Sequence, residues 1–406
     1  MTLIESPSSI GSASIGSASI GSGSIDMEEI GAAPIPIMRP VLGDAEVSAV
    51  TEVLRSGWVA QGPRVAAFES AFAASVRAAE GVAVSSCTTG LHLALVLAGV
   101  GPGDEVVVPS LSFIATTNAV VYTGATPVFA DVDLATGNVT AASIGEVITD
   151  RTRAVVVVDQ AGVPADIEPI RRLCRSLDLA VVEDAACAIG STHEGAPVGA
   201  GGTAVFSFHP RKILTTGEGG MITLDDPDQA RRARRLREHG MSQSAADRHG
   251  SGGLAFEEYG ETGFNYRMTD LQAAIGLVQL TRLGEIVSRR RELARAYQAR
   301  LATVPGLTCV DDPAWGTTNY QSFWIRLDSG FGVARNDVMA ALARVGIASR
   351  RGIMATHLEP AGERFVRGRL PVTERITSTT LILPLFHEMT YDDVDRVCAA
   401  IRDCRP

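Results

Sequence analysis

The sequence predicts an α/β protein: a mostly parallel seven-stranded sheet covered by helices on both faces, followed by a smaller α+β region. Three observations carry this. Seven short apolar runs rich in β-branched residues lie between residues 81 and 225. Helical patterns separate most of them, as the crossovers of parallel strands require. A long helical pattern from Met268 to Val304 then leads into a second group of strand and helix patterns.

In chain order, the first segment stands apart. "SIGSASIGSASIGSGSID", Ser9 to Asp26, repeats Ser-Ile-Gly-Ser-Ala. One Ile per unit among small polar residues buries too little surface to offset ordering entropy, so residues 1–30 are expected to be a disordered low-complexity segment. Two amphipathic helices follow, "DAEVSAVTEVLRSG" and "RVAAFESAFAASVRAA". The strands are "GVAVSS", "DEVVVPS", "TPVFADVD", "RAVVVVD", "LAVVEDA", "TAVFSFH" and "GGMITLD", with "TGLHLALVLAGV" and "IEPIRRLCRSLDL" among the intervening helices. A large domain is expected over 31–285 and a small C-terminal domain, built from "YQSFWIRLD", "RNDVMAALARVGI" and "TYDDVDRVCAAIRD", over 286–406.

Composition narrows the function. With 36 basic against 46 acidic residues the net charge is −10, which argues against nucleic acid as a partner. The local "RRARRLR" at 231–237 is read as a solvated helix face. Six cysteines without a CxxC pair suggest reduced thiols in a cytoplasmic protein and no zinc site. No apolar stretch is long enough for a membrane span, and the 46% hydrophobic content suffices for a sizeable core.

Ligands of such sheets bind beyond the carboxyl ends of the strands. Three segments there stand out: "SSCTTGLHLAL", hydroxyl residues opening a helix and suited to an anion; "VVEDAACAIG", two acids at a strand end; and "SFHPRK", which delivers Lys212. Each alone has an ordinary reading, as a helix cap, a solvated acid or a surface lysine. Together they suit pyridoxal 5′-phosphate (PLP), whose phosphate needs N–H and hydroxyl donors, whose ring nitrogen needs an acid and whose aldehyde needs an amine. Lys212 is then the Schiff-base candidate and Asp184 the ring-nitrogen partner.

Five ordered blocks also carry a resemblance. "GWVAQGPRVAAFESAFA", "VVVPSLSFIATTNAVVYTGATPVFADVD", "VVEDAACAIG", "FSFHPRKILTTGEGGM" and "GFNYRMTDLQAAIGLVQL" resemble the DegT/DnrJ/EryC1/StrS family of sugar aminotransferases from about Ile35 to the C-terminus. The resemblance implies a PLP-dependent aminotransferase of fold type I, a homodimer with shared active sites, glutamate or glutamine as amino donor, and a keto sugar as acceptor, most often a nucleotide-activated deoxysugar. It assigns Lys212 to the covalent link, Asp184 to the ring nitrogen, and Cys87, Thr88 and Ser207 to the phosphate. Asn265 would reach the phosphate of the neighbouring subunit, and Phe113 would pack on the ring. Cys187 stands where many members have Gln, and Cys87 where Gly is common. Arg350, Arg351 and His357 fall where members place groups facing the substrate. His209 is read as fixing the turn before the lysine. A keto-cyclitol acceptor, a PLP-dependent sugar dehydratase and a non-catalytic cofactor-binding regulator stay open as alternatives. Lys212 weighs against the dehydratase, whose relatives carry histidine there.

Overall fold

The computed structural model describes residues 33–242 and 257–405. The N-terminal repeat lies outside them. All seven expected strands form: β1 (Glu80–Val84), β2 (Glu105–Pro109), β3 (Thr126–Ala130), β4 (Thr152–Val158), β5 (Ala180–Asp184), β8 (Thr203–Ser207) and β9 (Gly220–Leu224). Between β5 and β8 run two short strands, β6 (Thr192–His193) and β7 (Ala196–Pro197). The sheet order is β1-β9-β8-β5-β4-β2-β3, and β9 alone runs against the rest. Valines explain the layering. Along β2 and β4, Val107, Val155 and Val157 join one core cluster, while Val106, Val108, Val156 and Val158 join another on the opposite face. Alternation with both faces apolar is what a doubly covered sheet requires.

The helix Asp270–Leu301 begins at Thr269, whose hydroxyl accepts from the Gln272 N–H at 3.3 Å. Asp270 itself is buried and accepts from the N–H groups of Gly62, Arg64 and Val65 at 2.9–3.0 Å, so its charge caps the helix Pro63–Ser75. Further along, Ile286 and Val287 pack with the phenylalanines under the large sheet. Leu293, Ala294 and Tyr297 pack under a second sheet. That sheet has the order β10-β12-β14-β13, with β10 Leu307–Cys309, β12 Phe323–Leu327, β13 Arg350–Arg351 and β14 Thr380–Leu383. A small third sheet places β6 between β11 (Gly316–Thr317) and β7. The division expected near residue 285 falls inside the long helix and is kept as a proposal. Among the described residues no helix is long and apolar enough to cross a membrane.

The arginine cluster corrects one expectation. Arg231 and Arg235 are exposed, but Arg237 is 4% exposed, donates to the Ala83 carbonyl at 2.7 Å and pairs with Glu69. Glu69 in turn accepts from the Ala83 N–H at 2.9 Å, and Arg234 adds contacts to Glu69 and Glu80. Part of the cluster therefore staples the end of the helix Pro227–Leu236 to the helix Pro63–Ser75 through a buried ion pair, and both partners of that pair bond the backbone of β1 at Ala83.

Candidate active site

The lysine segment is anchored from behind by aromatic packing. Phe206 and Phe208, in and just after β8, meet Phe72 with ring centroids 5.0 and 5.3 Å apart, and all three are fully buried. Each such ring contributes about 1.5–3 kcal/mol by burial, which fixes the strand end. Beyond it the chain turns. His209 Nδ1 accepts from the Arg211 N–H at 3.2 Å and the His209 carbonyl accepts from the Lys212 N–H at 2.8 Å, so His209 does fix the turn.

Lys212 then points at Cys187, with Nζ 3.0 Å from Sγ. It is the only lysine of the chain, the other 35 of the 36 basic residues being arginine (36 − 1). Burial pulls its ammonium down, but the sulphurs of Cys187 and Cys87 and the Asp184 carboxylate more than restore it, and the net direction is up.

Asp184 ends β5 and is buried. Thr116 donates to its Oδ2 at 2.8 Å, and the Ala186 N–H to its Oδ1 at 3.2 Å. Burial raises its pKa despite these donors and the Lys212 charge. A carboxyl so placed gains from a cationic partner. Cys87 lies beside it, Sγ 4.0 Å from Asp184 Oδ1 and 3.9 Å from the Val205 carbonyl. Burial, then Asp184, pushes the Cys87 thiol well above the usual range.

Cys87 and Thr88 open the helix Cys87–Leu97, whose cap Ser86 accepts from the Thr89 N–H at 3.2 Å. The helix approaches β9 closely. A Cβ on Gly220 would lie 2.7 Å from the Cys87 nitrogen, so glycine is needed there. Ser207, at the end of β8, sits beside this helix start, since Ser207 and Gly220 pair across the strands. The structure thus brings Lys212, Asp184, Cys87, Cys187 and Ser207 to one place.

The remaining expected residues come from other segments of the chain. Phe113 follows β2 and is 64% exposed. Asn265 is exposed and bridges Glu238 through the backbone. Arg350 and Arg351 are exposed on β13, and Arg351 pairs with Glu359 at 3.2 Å. His357 is buried: its Nδ1 is 2.6 Å from Ser110 Oγ, and burial lowers its pKa. It ties the C-terminal part of the chain to the loop after β2 through its ring.

Sequence reasoning missed the segment that holds the site together. Gln321 accepts from the Ile213 N–H at 3.0 Å and donates to the Arg211 carbonyl at 2.6 Å, on either side of Lys212. Asn319 donates to the carbonyls of Cys187 and Ile189, both at 2.8 Å, and accepts from the Gln321 N–H at 2.7 Å. Gly162 makes room for it, since a Cβ there would fall 1.9 Å from Asn319 Oδ1. Between the two, Tyr320 has φ 52°, a strained conformation for its residue type. Buried Arg290 holds it by donating to the carbonyls of Tyr320, Gln321 and Leu385 at 2.8–2.9 Å. Asp159 was also missed. It follows β4 directly and is fully buried, and its N–H donates to the Asp184 carbonyl at 3.2 Å.

A seven-stranded, mostly parallel sheet with a lysine, a buried carboxylate and a helix start converging at its strand ends defines a PLP-dependent aminotransferase of fold type I. A model of the DegT/DnrJ/EryC1/StrS aminotransferase family matches residues 40–402, and the chain belongs to that family. It is similar to the aminotransferase TlmJ from Streptoalloteichus hindustanus, at 41% identity over 91% of this chain and 98% of that one, TM-score 0.84. It is similar to DesI, solved in the presence of its TDP-sugar product, at 32% identity over 92% and 94%, TM-score 0.83. It also resembles Spr1654 from Streptococcus pneumoniae, solved in its PLP form, at 26% identity over 91% and 98%, TM-score 0.84.

The residues present fit PLP. A buried carboxyl with a raised pKa, the chain's one lysine amine within its electrostatic reach and a helix start opened by Gly220 would supply the partners that the ring nitrogen, the aldehyde and the phosphate need.

Proposed function

We propose that this chain is a homodimeric aminotransferase that moves an amino group from glutamate or glutamine to a nucleotide-activated deoxy keto sugar, with PLP covalently held at Lys212. The observation that carries this reading is the position of the chain's single lysine, on the turn after β8 and within the electrostatic reach of buried Asp184. When bound, PLP would act as the electron sink that lets an amino group and a carbon-bound hydrogen be exchanged.

The residues divide the work. Asp184, oriented by Thr116, would keep the ring nitrogen protonated. The N–H groups of Cys87 and Thr88 with the Ser207 hydroxyl would hold the phosphate, and Phe113 would cover the ring. Lys212 Nζ, once free, would be the base placed to take the proton from the donor's carbon and, for the acceptor, the acid placed to give one back. Cys187 would stand near the ring in place of the more usual glutamine. Arg350 and Arg351, exposed on β13, suit the diphosphate of an activated sugar.

Asn265 is proposed to complete the partner's phosphate site. It is exposed between Phe264 and Tyr266, which stack at 4.8 Å and pack on His92, next to half-exposed Tyr122. An exposed asparagine flanked by partly exposed aromatic rings, with Tyr122 exposed nearby, suits a subunit contact. The relation to DesI, which was solved with a TDP-sugar product, supports the nucleotide sugar over a keto-cyclitol. The test is to charge the enzyme with pyridoxamine 5′-phosphate and follow keto-sugar nucleotides and keto-cyclitols by mass spectrometry. Amination of a keto-sugar nucleotide is expected. Consumption of cyclitols alone would overturn the acceptor assignment.

A further inference from the structure

Cys187 is the one member of the Lys212 cluster for which transamination has no chemical use. We propose that Cys187 Sγ and Lys212 Nζ are a modification site, joined by peroxide into a covalent S–N link that thiols reverse. Three observations support it.

First, the two atoms are 3.0 Å apart, already in direct contact with nothing between them. Second, both ends are fixed by the same short segment. Asn319 holds the Cys187 carbonyl, Gln321 holds the backbone on either side of Lys212, and the two side chains are linked through the Gln321 N–H. The two backbone segments that carry the pair are therefore held to one another. Third, Cys187 and Lys212 are both half-buried, open to a small oxidant, whereas Cys174 and Cys398 are fully buried. A cation within hydrogen-bond reach of a sulphur is the setting in which cysteines react with oxidants. Cys87 faces a carboxylate instead.

The chemistry balances in two steps. A peroxide attacked by the Cys187 sulphur loses its O–O bond. One oxygen stays as S–OH and the other leaves as water or alcohol, so the sulphur is oxidised by two electrons and the peroxide reduced. The Lys212 nitrogen then attacks the sulphur. An S–N bond forms, the S–O bond breaks, and the hydroxyl leaves as water with a proton from nitrogen. Two equivalents of a small thiol undo the link. The first attacks the sulphur, frees the amine and leaves a mixed disulfide; the second restores the Cys187 thiol and departs as the reductant's disulfide.

Because the chain has no second lysine, a linked Lys212 leaves no other side-chain amine to hold the cofactor. That consequence rests on the functional reading above; the bond itself does not. The site would be open to oxidation when Lys212 is free and shielded when the cofactor is attached to it.

The experiment treats enzyme loaded with pyridoxamine 5′-phosphate, and enzyme loaded with PLP, with hydrogen peroxide, followed by cleavage at arginine and mass spectrometry. The expected product joins the peptide containing Cys187 to the peptide beginning at Lys212, lighter than their sum by two hydrogens. It disappears with dithiothreitol, is absent in Cys187→Ser, and is more abundant in the pyridoxamine form. Oxidation of Cys187 to the sulfinic acid without the cross-link, a Cys87–Cys187 disulfide in its place, or an unaltered Cys187 would overturn the proposal. Equal cross-linking in the two loaded forms would uphold the bond and count against Lys212 as the cofactor lysine.

Discussion

Gln321 grips the backbone on both sides of Lys212, accepting from the Ile213 N–H at 3.0 Å and donating to the Arg211 carbonyl at 2.6 Å. One side chain thus fixes the direction in which the amine points. Gln321→Ala is expected to lower kcat about tenfold with KM little changed, because misplacing a reacting group slows the step it serves without weakening binding. Gln321→Glu keeps the acceptor and loses the donor, so it should fall between. An equal loss in both variants through KM would show that Gln321 does not act by positioning the lysine. Steady-state kinetics decide it.

Asp184 is predicted to trade stability for activity. Burial, opposed by Thr116, the Ala186 N–H and Lys212, leaves its pKa raised in the cofactor-free protein. An acid whose folded pKa is raised contributes stability below its ordinary value near 4, and that contribution is lost as pH rises through the raised value. Asp184→Asn should therefore raise the Tm of the cofactor-free protein at neutral pH and have no such effect at low pH. With PLP bound, the same variant should turn over about a hundredfold more slowly or worse. Melting curves across pH and single-turnover rates test the two halves separately.

The buried pair of Arg237 and Glu69 predicts a pure stability effect. Arg237→Met leaves the Glu69 charge buried, with Arg234 at 3.4 Å as its remaining cation, and should cost about 3–5 kcal/mol. Adding Glu69→Gln should recover most of that. Denaturant titrations of the single and double variants give the coupling. Additive losses would mean the two residues do not act as a pair.

Asn265 predicts complementation between chains. Lys212→Ala and Asn265→Ala should each be inactive or nearly so. In a mixed dimer one site gathers both changes and the other is intact, so random exchange should restore about a quarter of wild-type activity. Demonstrated subunit exchange without recovered activity would rule out the shared site.

Much of this was legible in the sequence for local reasons. The valine runs of β2, β4 and β5 are β-branched and apolar on both faces, so they read as buried parallel strands. Lys212 and Asp184 stood out because one follows a strand and the other ends one, where an open sheet binds its ligands. The lysine count, also readable there, singles out Lys212 more sharply than the spacing of its segment. What stayed hidden depends on distant partners. Asn319 and Gln321 look like ordinary loop polar residues until the fold brings them against residues more than a hundred positions earlier. Arg237 reads as surface charge until Glu69 is placed beside it, and the Ser110 hydroxyl meets the His357 ring only across a long stretch of chain. No local pattern encodes such pairings.

The most direct test of the central claim is borohydride reduction of the PLP-loaded enzyme, followed by cleavage at arginine and peptide mass analysis. The account predicts the reduced cofactor on the peptide that begins at Lys212, which follows Arg211, and nowhere else in the chain. A protein that retains PLP yet releases that peptide unmodified would contradict it.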